Sequence, residues 1–130
     1  MIDPERELTE RHGPPEERAR KNRKHIDHLL TQVSESELRG ILAALSRLEW
    51  PLCARWLSEV DLATTPLDKI LKPYEFMGLN FDFESVEAPF YVVSIGAAWG
   101  TVGDGGTFRV RRDGDQFRVD EDYKGETWIC

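Results

Sequence analysis

The sequence predicts an α+β fold: three to four N-terminal helices packed on a C-terminal antiparallel β-meander of about four strands. Three observations point to it. Apolar residues in "SESELRGILAALSRLEW" recur with helical spacing. After Gly78 the apolar period changes to two, first in "LNFDFES". Asp113–Gly114 then sits between two alternating segments, a strong hairpin signal.

Taken in order, "DPERELTERHG" predicts a short helix with Asp3 as N-cap, Pro4 at the first position and Gly13 as its stop. It carries almost no apolar surface, so residues 1–14 are expected to be a mobile segment ahead of a single domain over 15–130. Within that domain the helices fall at about 15–72 and the strands at about 79–130. "PPEERARKNRKHIDHLLTQV" opens with prolines and two glutamates, and Ala19, Ile26, Leu29, Leu30 and Val33 are its apolar residues. In the next helix Ser34 and Glu37 have capping-box spacing. Leu38, Ile41, Leu42, Leu45 and Leu48 form one face, and Pro51 ends or bends the helix. A helix restarts in "PLCARWLSEVDLA", with Leu52, Trp56, Leu57 and Val60 inward. "TTPLDKILKPYEF" adds a turn or two, with Thr65 as cap.

Among the strands, "PFYVVSIGAAW" is apolar on both sides and reads as a central strand covered on both faces. One side carries Tyr91, Val93, Ile95, Ala97 and Trp99. The other carries Phe90, Val92, Ser94, Gly96 and Ala98, whose small members leave room for a close approach. "GTVGDGG" reads as a flexible connection, and "GETWIC" as a last short strand. A turn centred on Asp113–Gly114 would set Val110 opposite Phe117, Arg109 opposite Arg118 and Thr107 opposite Asp120. Phe108, Val110, Phe117 and Val119 then face the core, and Arg109, Arg111, Arg118, Gln116, Asp120 and Asp122 face outward.

Composition narrows the function. At 130 residues, with 40% hydrophobic and 32% charged residues, the chain is the size of one domain and can bury roughly two thirds of its unfolded surface. It contains no membrane-length apolar run and no signal-peptide pattern at its start. Cys53 and Cys130 are its only cysteines, and a reduced, cytoplasmic protein fits them better than a disulfide. The net charge of −7 concentrates in residues 82–130, which hold ten acids and five bases. Such a surface repels phosphate backbones and attracts basic proteins.

Motifs for chemistry are weak. "WGTVGDGGTF" lacks the P-loop lysine and precedes a strand instead of a helix. His25 and His28 stand three apart on a helix around Asp27, but only His12 and scattered acids could complete a metal shell. The basic run 18–25, "RARKNRKH", has no base-reading motif behind it and reads as a solvated helix. Asp113, Asp115, Asp120, Glu121, Asp122 and Glu126 look like turn and rim positions, so they are read as a solvated acidic edge. Cys53 lies in a hydrophobic helix and is read as core, and the tryptophans as core or interface anchors.

The expectation is therefore a non-enzymatic protein without cofactor or metal. It would bind one protein partner, a basic toxin or enzyme, in the manner of an immunity protein or antitoxin. Arg109, Arg111, Arg118, Asp120 and Asp122 are the expected contact residues. Membrane and nucleic-acid partners are not expected. A homodimer that covers strand 90–99 is compatible with this reading. The alternative is a small-molecule pocket. In length and element order the chain resembles the cone-shaped, nuclear-transport-factor-2-like fold of small dehydratases and isomerases. That resemblance would place a pocket among Trp56, Tyr91, Val93 and Trp99, with a buried Asp or His as base.

Overall fold

The computed structural model describes residues 3–74, 78–99 and 102–129. The architecture is α+β as expected, with helices in the N-terminal part and an antiparallel sheet in the C-terminal part. Helix α1 (Pro4–His12) has the Asp3 carboxylate accepting from the Glu5 and Arg6 backbone N–H groups, and the chain leaves it at Gly13 with φ 94°. Helix α2 (Pro15–Gln32) follows. Helix α3 (Glu35–Leu45) starts in a full capping box, with Ser34 and Glu37 exchanging side-chain and backbone bonds. Leu38, Ile41, Leu42 and Leu45 are completely buried, each contributing about 1.5–3 kcal/mol of apolar transfer.

The next segments are shorter than their spacing predicts. α3 stops at Leu45, well before Pro51, and the Ser46 hydroxyl donates to the Ala43 carbonyl at its end. Ser at that position competes for the backbone and favours termination. The restarted helix is a single α turn, α4 (Leu52–Arg55), followed by a 3₁₀ turn at Trp56–Glu59. Leu57 is buried there, Trp56 and Val60 are half-buried, and Leu52 is exposed, contrary to its expected inward placement. Helix α5 (Leu67–Ile70) is capped at Pro66 with no side-chain bond, so Thr65 does not serve as its cap.

Four antiparallel strands run in order: β1 (Asn80–Glu87), β2 (Phe90–Trp99), β3 (Val102–Asp113) and β4 (Gln116–Val119). A fifth, β5 (Thr127–Ile129), pairs with the first half of β3 on the edge that β4 occupies further along. The stretch expected to be a flexible connection is largely strand, because Val102–Gly106 pair with Ile95–Trp99 of β2, from Trp99↔Val102 to Ile95↔Gly106. Gly100 and Thr101 lie outside the described residues. Glycine-rich sequence was mistaken for a loop, whereas Gly103, Gly105 and Gly106 serve close packing of backbone and side chains.

All the helices lie on one side of the sheet. α3 sits on β4, α4 on β2 and β3, and α2 against β1. Gly40 allows the α3 approach: a Cβ there would fall 2.4 Å from the Phe117 ring. The helix-facing residues Phe81, Tyr91, Val93, Ile95, Ala97 and Val110 are all buried. Among the described residues no second layer covers the opposite face, so the expectation that β2 is covered on both sides is corrected. An antiparallel sheet can leave one face to water. Here Gly96 is buried, Phe90, Val92 and Ser94 are half-buried, and Ala98 is exposed.

Candidate protein-binding surface

The outward face of the sheet is built by strand alternation. β3 contributes Arg109 and Arg111, β4 contributes Arg118, and β2 contributes Phe90, Val92 and Ser94. The hairpin register differs from the expected one by two residues. Arg111, not Arg109, stands opposite Arg118, Val110 faces Val119, and Arg112 faces Phe117. The two-residue loop is Gly114–Asp115, with Gly114 at φ 63° in its first position, where a type II′ turn places glycine. A shift of two keeps every side chain on its expected face, so Phe117 and Val119 still pack inward.

Arg109 is a strut of this face. Its Nε donates to Asp120 Oδ2 at 2.8 Å, and its Nη2 also pairs with that carboxylate. Its guanidinium lies 4.8 Å from the Phe90 ring centroid and 5.4 Å from that of Tyr123. Arg109 holds the Asp120 carboxyl below its ordinary range, helped by the Asp122 backbone N–H. Arg111 pairs with Asp113 at 2.9 Å, and Arg118 donates to Gln116 at 3.2 Å, both exposed. Asp122 is exposed beside Glu121. No ion pair reaches Glu121, Asp122 or Glu126 among the described residues. Of the five expected contact residues, Arg109 and Asp120 are therefore bound to each other, whereas Arg118 and Asp122 project from the rim.

Sequence reasoning missed the aromatic part of this surface. Trp128 on β5 lies over the paired glycines of β2 and β3. A Cβ on Gly96 would come within 2.8 Å of its ring, and one on Gly105 within 2.6 Å of the ring and of the Ile95 carbonyl oxygen. The small residues noted at Gly96 and Ala98 were the signal, since one of them receives this indole. Trp128 is still 45% exposed, so this face shows apolar area to solvent, whereas the exposed Ile129 stands opposite Asp104 on the helix side of the sheet edge.

The other candidate groups have structural partners. Asp104, 3% exposed, faces the helices and accepts from the Leu52 N–H at 2.5 Å and the Cys53 N–H at 3.1 Å. Burial first, and the Asp104 hydrogen bond second, push the Cys53 thiol up to about 12, which leaves it a poor nucleophile. Cys130 lies outside the described residues. Tyr91 and Val93 are closed into the core at 1% and 0% exposure, and the Tyr91 hydroxyl donates to Glu37 at 2.8 Å. The Trp99 side chain lies outside the described residues. His25 Nε2 sits 2.7 Å from the Phe81 carbonyl oxygen, and His12 packs edge-on against Tyr74. No cluster of three potential metal ligands occurs among the described residues. The basic run divides: Arg18 is buried under α1, Lys21 donates to the His12 carbonyl, and Arg20, Arg23 and Lys24 are exposed. No helix among the described residues is long and apolar enough to cross a membrane.

The fold thus defines an α+β protein with one face of its sheet left open. Comparison with protein families, with characterised proteins and with solved structures finds no match for this chain.

Proposed function

We propose that the chain is a protein-binding protein of the immunity or antitoxin type, which covers a basic surface of one partner with the open face of its sheet. The observation that carries this reading is the uncovered face itself. It presents the exposed indole of Trp128, and the chain just before β5 carries the exposed acids Glu121, Asp122 and Glu126. Aromatic anchors inside a charged rim are the usual composition of a binding surface. The net charge of −7 steers the encounter toward a basic protein. The Arg109–Asp120 pair, clamped between Phe90 and Tyr123, keeps the surface rigid in the free state. Tyr91 and Val93, sealed in the core, count against the alternative of a pocket between helices and sheet.

The test is affinity capture from the source cells with the wild-type chain, with Trp128→Ala and with Glu121→Lys/Asp122→Lys. The expected result is one basic protein held in equal amount at low salt, released at high salt and lost with both variants. Retention by both variants, or no stoichiometric protein at all, overturns the reading.

A further inference from the structure

β5 forms an outer edge of the sheet and pairs with β3 alone. The Thr107 N–H donates to the Glu126 carbonyl at 2.8 Å, which fixes the alternation along the pair. Trp128 therefore turns its backbone groups to Gly105, and Thr127 and Ile129 turn theirs outward. Among the described residues no backbone bond from another segment reaches these outward groups. Open donors and acceptors along an edge are a template for one more strand. β1, at the opposite edge, is guarded. His25 caps its Phe81 carbonyl, its register shifts between Phe83 and Ser85, and Asp82, Glu84 and Glu87 are charged. β5 has no charged residue, proline or bulge, the devices that keep an edge from pairing.

The exposed apolar side chains gather at this edge. Among the described residues the large hydrophobic side chains that stand exposed are Trp50, Leu52, Trp128 and Ile129. Two of them belong to β5, and the other two lie beside it. Ile129 stands opposite Asp104, whose carboxylate accepts from the Leu52 N–H at 2.5 Å. Leu52 and Ile129 therefore neighbour the same carboxylate, and Trp50 is two residues from Leu52 along the chain. Trp128 lies on the open face and Ile129 on the helix side, so an added strand meets apolar surface on both of its faces. Exposed apolar area concentrated in one place marks an interaction site.

We infer that the β5 edge takes an extended segment of the partner protein as an added strand, one with apolar residues beside Trp128 and Ile129 and a net positive charge. This deepens the protein-binding reading and rests on it, since Trp128 belongs both to the edge and to the open face. The sign of the charge follows from the −7 of the whole chain and from residues 121–129, where Glu121, Asp122 and Glu126 face one base, Lys124. A second copy of the chain fits less well. It carries the same −7, and the four exposed side chains amount to on the order of 400 Å². A stable dimer buries about 800 Å² on each protomer. In an added strand the main-chain bonds supply affinity and the flanking side chains supply selectivity.

Titration of the full chain with the capped peptide Lys-Thr-Val-Val-Thr-Lys, followed by amide NMR, tests this without the partner in hand. The peptide should bind and shift the Thr127 and Ile129 amide signals. N-methylation of both valines should weaken it at least about tenfold, a change of about 1.4 kcal/mol. Thr127→Pro removes an outward N–H and leaves the bonds to β3 in place, so it should weaken binding as much with the melting temperature unchanged. Ile129→Ser should weaken it too, through the lost apolar contact. Absent binding at millimolar peptide overturns the inference. So does equal binding of the N-methylated peptide, of Glu-Thr-Val-Val-Thr-Glu, or by Thr127→Pro. A dimer of the chain alone in sedimentation, dissolved by Thr127→Pro, would overturn it in favour of a second copy. Capture of one basic protein from cells equally well by wild type and Thr127→Pro would overturn the added strand and leave the partner reading standing. A missing partner with intact peptide binding would overturn that reading and keep the edge as a strand acceptor.

Discussion

Removing the Asp104 carboxylate should loosen the helix layer from the sheet, and the structure sets the size of the effect. The side chain projects from β3 into the helix-facing layer and holds two backbone donors at the start of α4, Leu52 N and Cys53 N. In Asp104→Ala the cap is lost, at about 0.5–2 kcal/mol. The buried Cys53 N–H is then left without a partner, at about 1–3 kcal/mol more. Together the change should destabilise by about 2–4 kcal/mol, a large share of the 5–15 kcal/mol typical of a domain. For 130 residues the unfolding entropy is about 0.27 kcal/mol/K, so each kcal/mol lowers Tm by about 4 °C. The expected fall is then about 8–15 °C by circular dichroism. A second readout follows from the neighbouring thiol. Cys53 is fully buried, and its pKa is pushed up to about 12, so in a Cys130→Ser background it should label slowly. Asp104→Ala should accelerate labelling, because α4 opens locally more often. A fall in Tm below about 2 °C with unchanged labelling would refute the assignment of Asp104 as the tie between layers.

Three further outcomes can be measured. Gly40→Ala should lower Tm, although alanine raises helix propensity by about 1 kcal/mol, because its Cβ meets the Phe117 ring; a rise in Tm would show that α3 stands further from β4. Glu37 has its pKa lowered first by the Tyr91 hydroxyl and then by the Ser34 backbone, so it stabilises the fold at and above the ordinary carboxylate range. That contribution is lost as pH falls through the depressed value, and urea midpoints of Glu37→Gln should show a weaker acid dependence than those of wild type. Arg118→Glu should stabilise by a few tenths to about 1 kcal/mol, since it sets an acid opposite Arg111. Adding Arg111→Glu should cancel the gain, whereas adding Arg109→Glu should not. A coupling to position 109 instead would restore the register expected from the turn dipeptide.

Signals confined to a few neighbouring residues were legible. The capping box at Ser34 and Glu37, the α1 ends at Asp3 and Gly13, and the alternation of Phe81, Tyr91, Val93 and Val110 all lie in contiguous chain. What could not be read depends on partners distant in sequence. Asp104 meets a helix start about fifty residues earlier, and nothing near it marks a buried cap. Trp128 finds its place on glycines of two other strands, so its part in the surface follows from pairing and not from composition. Gly105, in the stretch that reads as loop, is part of the seat for that ring.

The hairpin shows why the candidate surface was half readable. One glycine serves a two-residue turn whether the loop is 113–114 or 114–115, so local turn chemistry leaves the two registers close in energy. The choice falls to Arg112, which the shift places across from Phe117 on the helix side. There its guanidinium lies 5.4 Å from the Phe117 centroid and 3.5 Å from Glu37, the acid that already receives the Tyr91 hydroxyl. That cluster joins the start of α3 to β2, β3 and β4 at once, which a one-face hydrophobic pattern cannot foresee. The same shift puts Arg109 opposite Asp120, where the two backbones are joined by the Asp120 N–H to the Arg109 carbonyl at 2.7 Å. An arginine that looked free to grip a partner is thereby turned inward onto its own sheet. On the proposed reading, the groups left to meet a partner are those beyond this pair: Arg118, the acids from Glu121 onward, and the indole of Trp128.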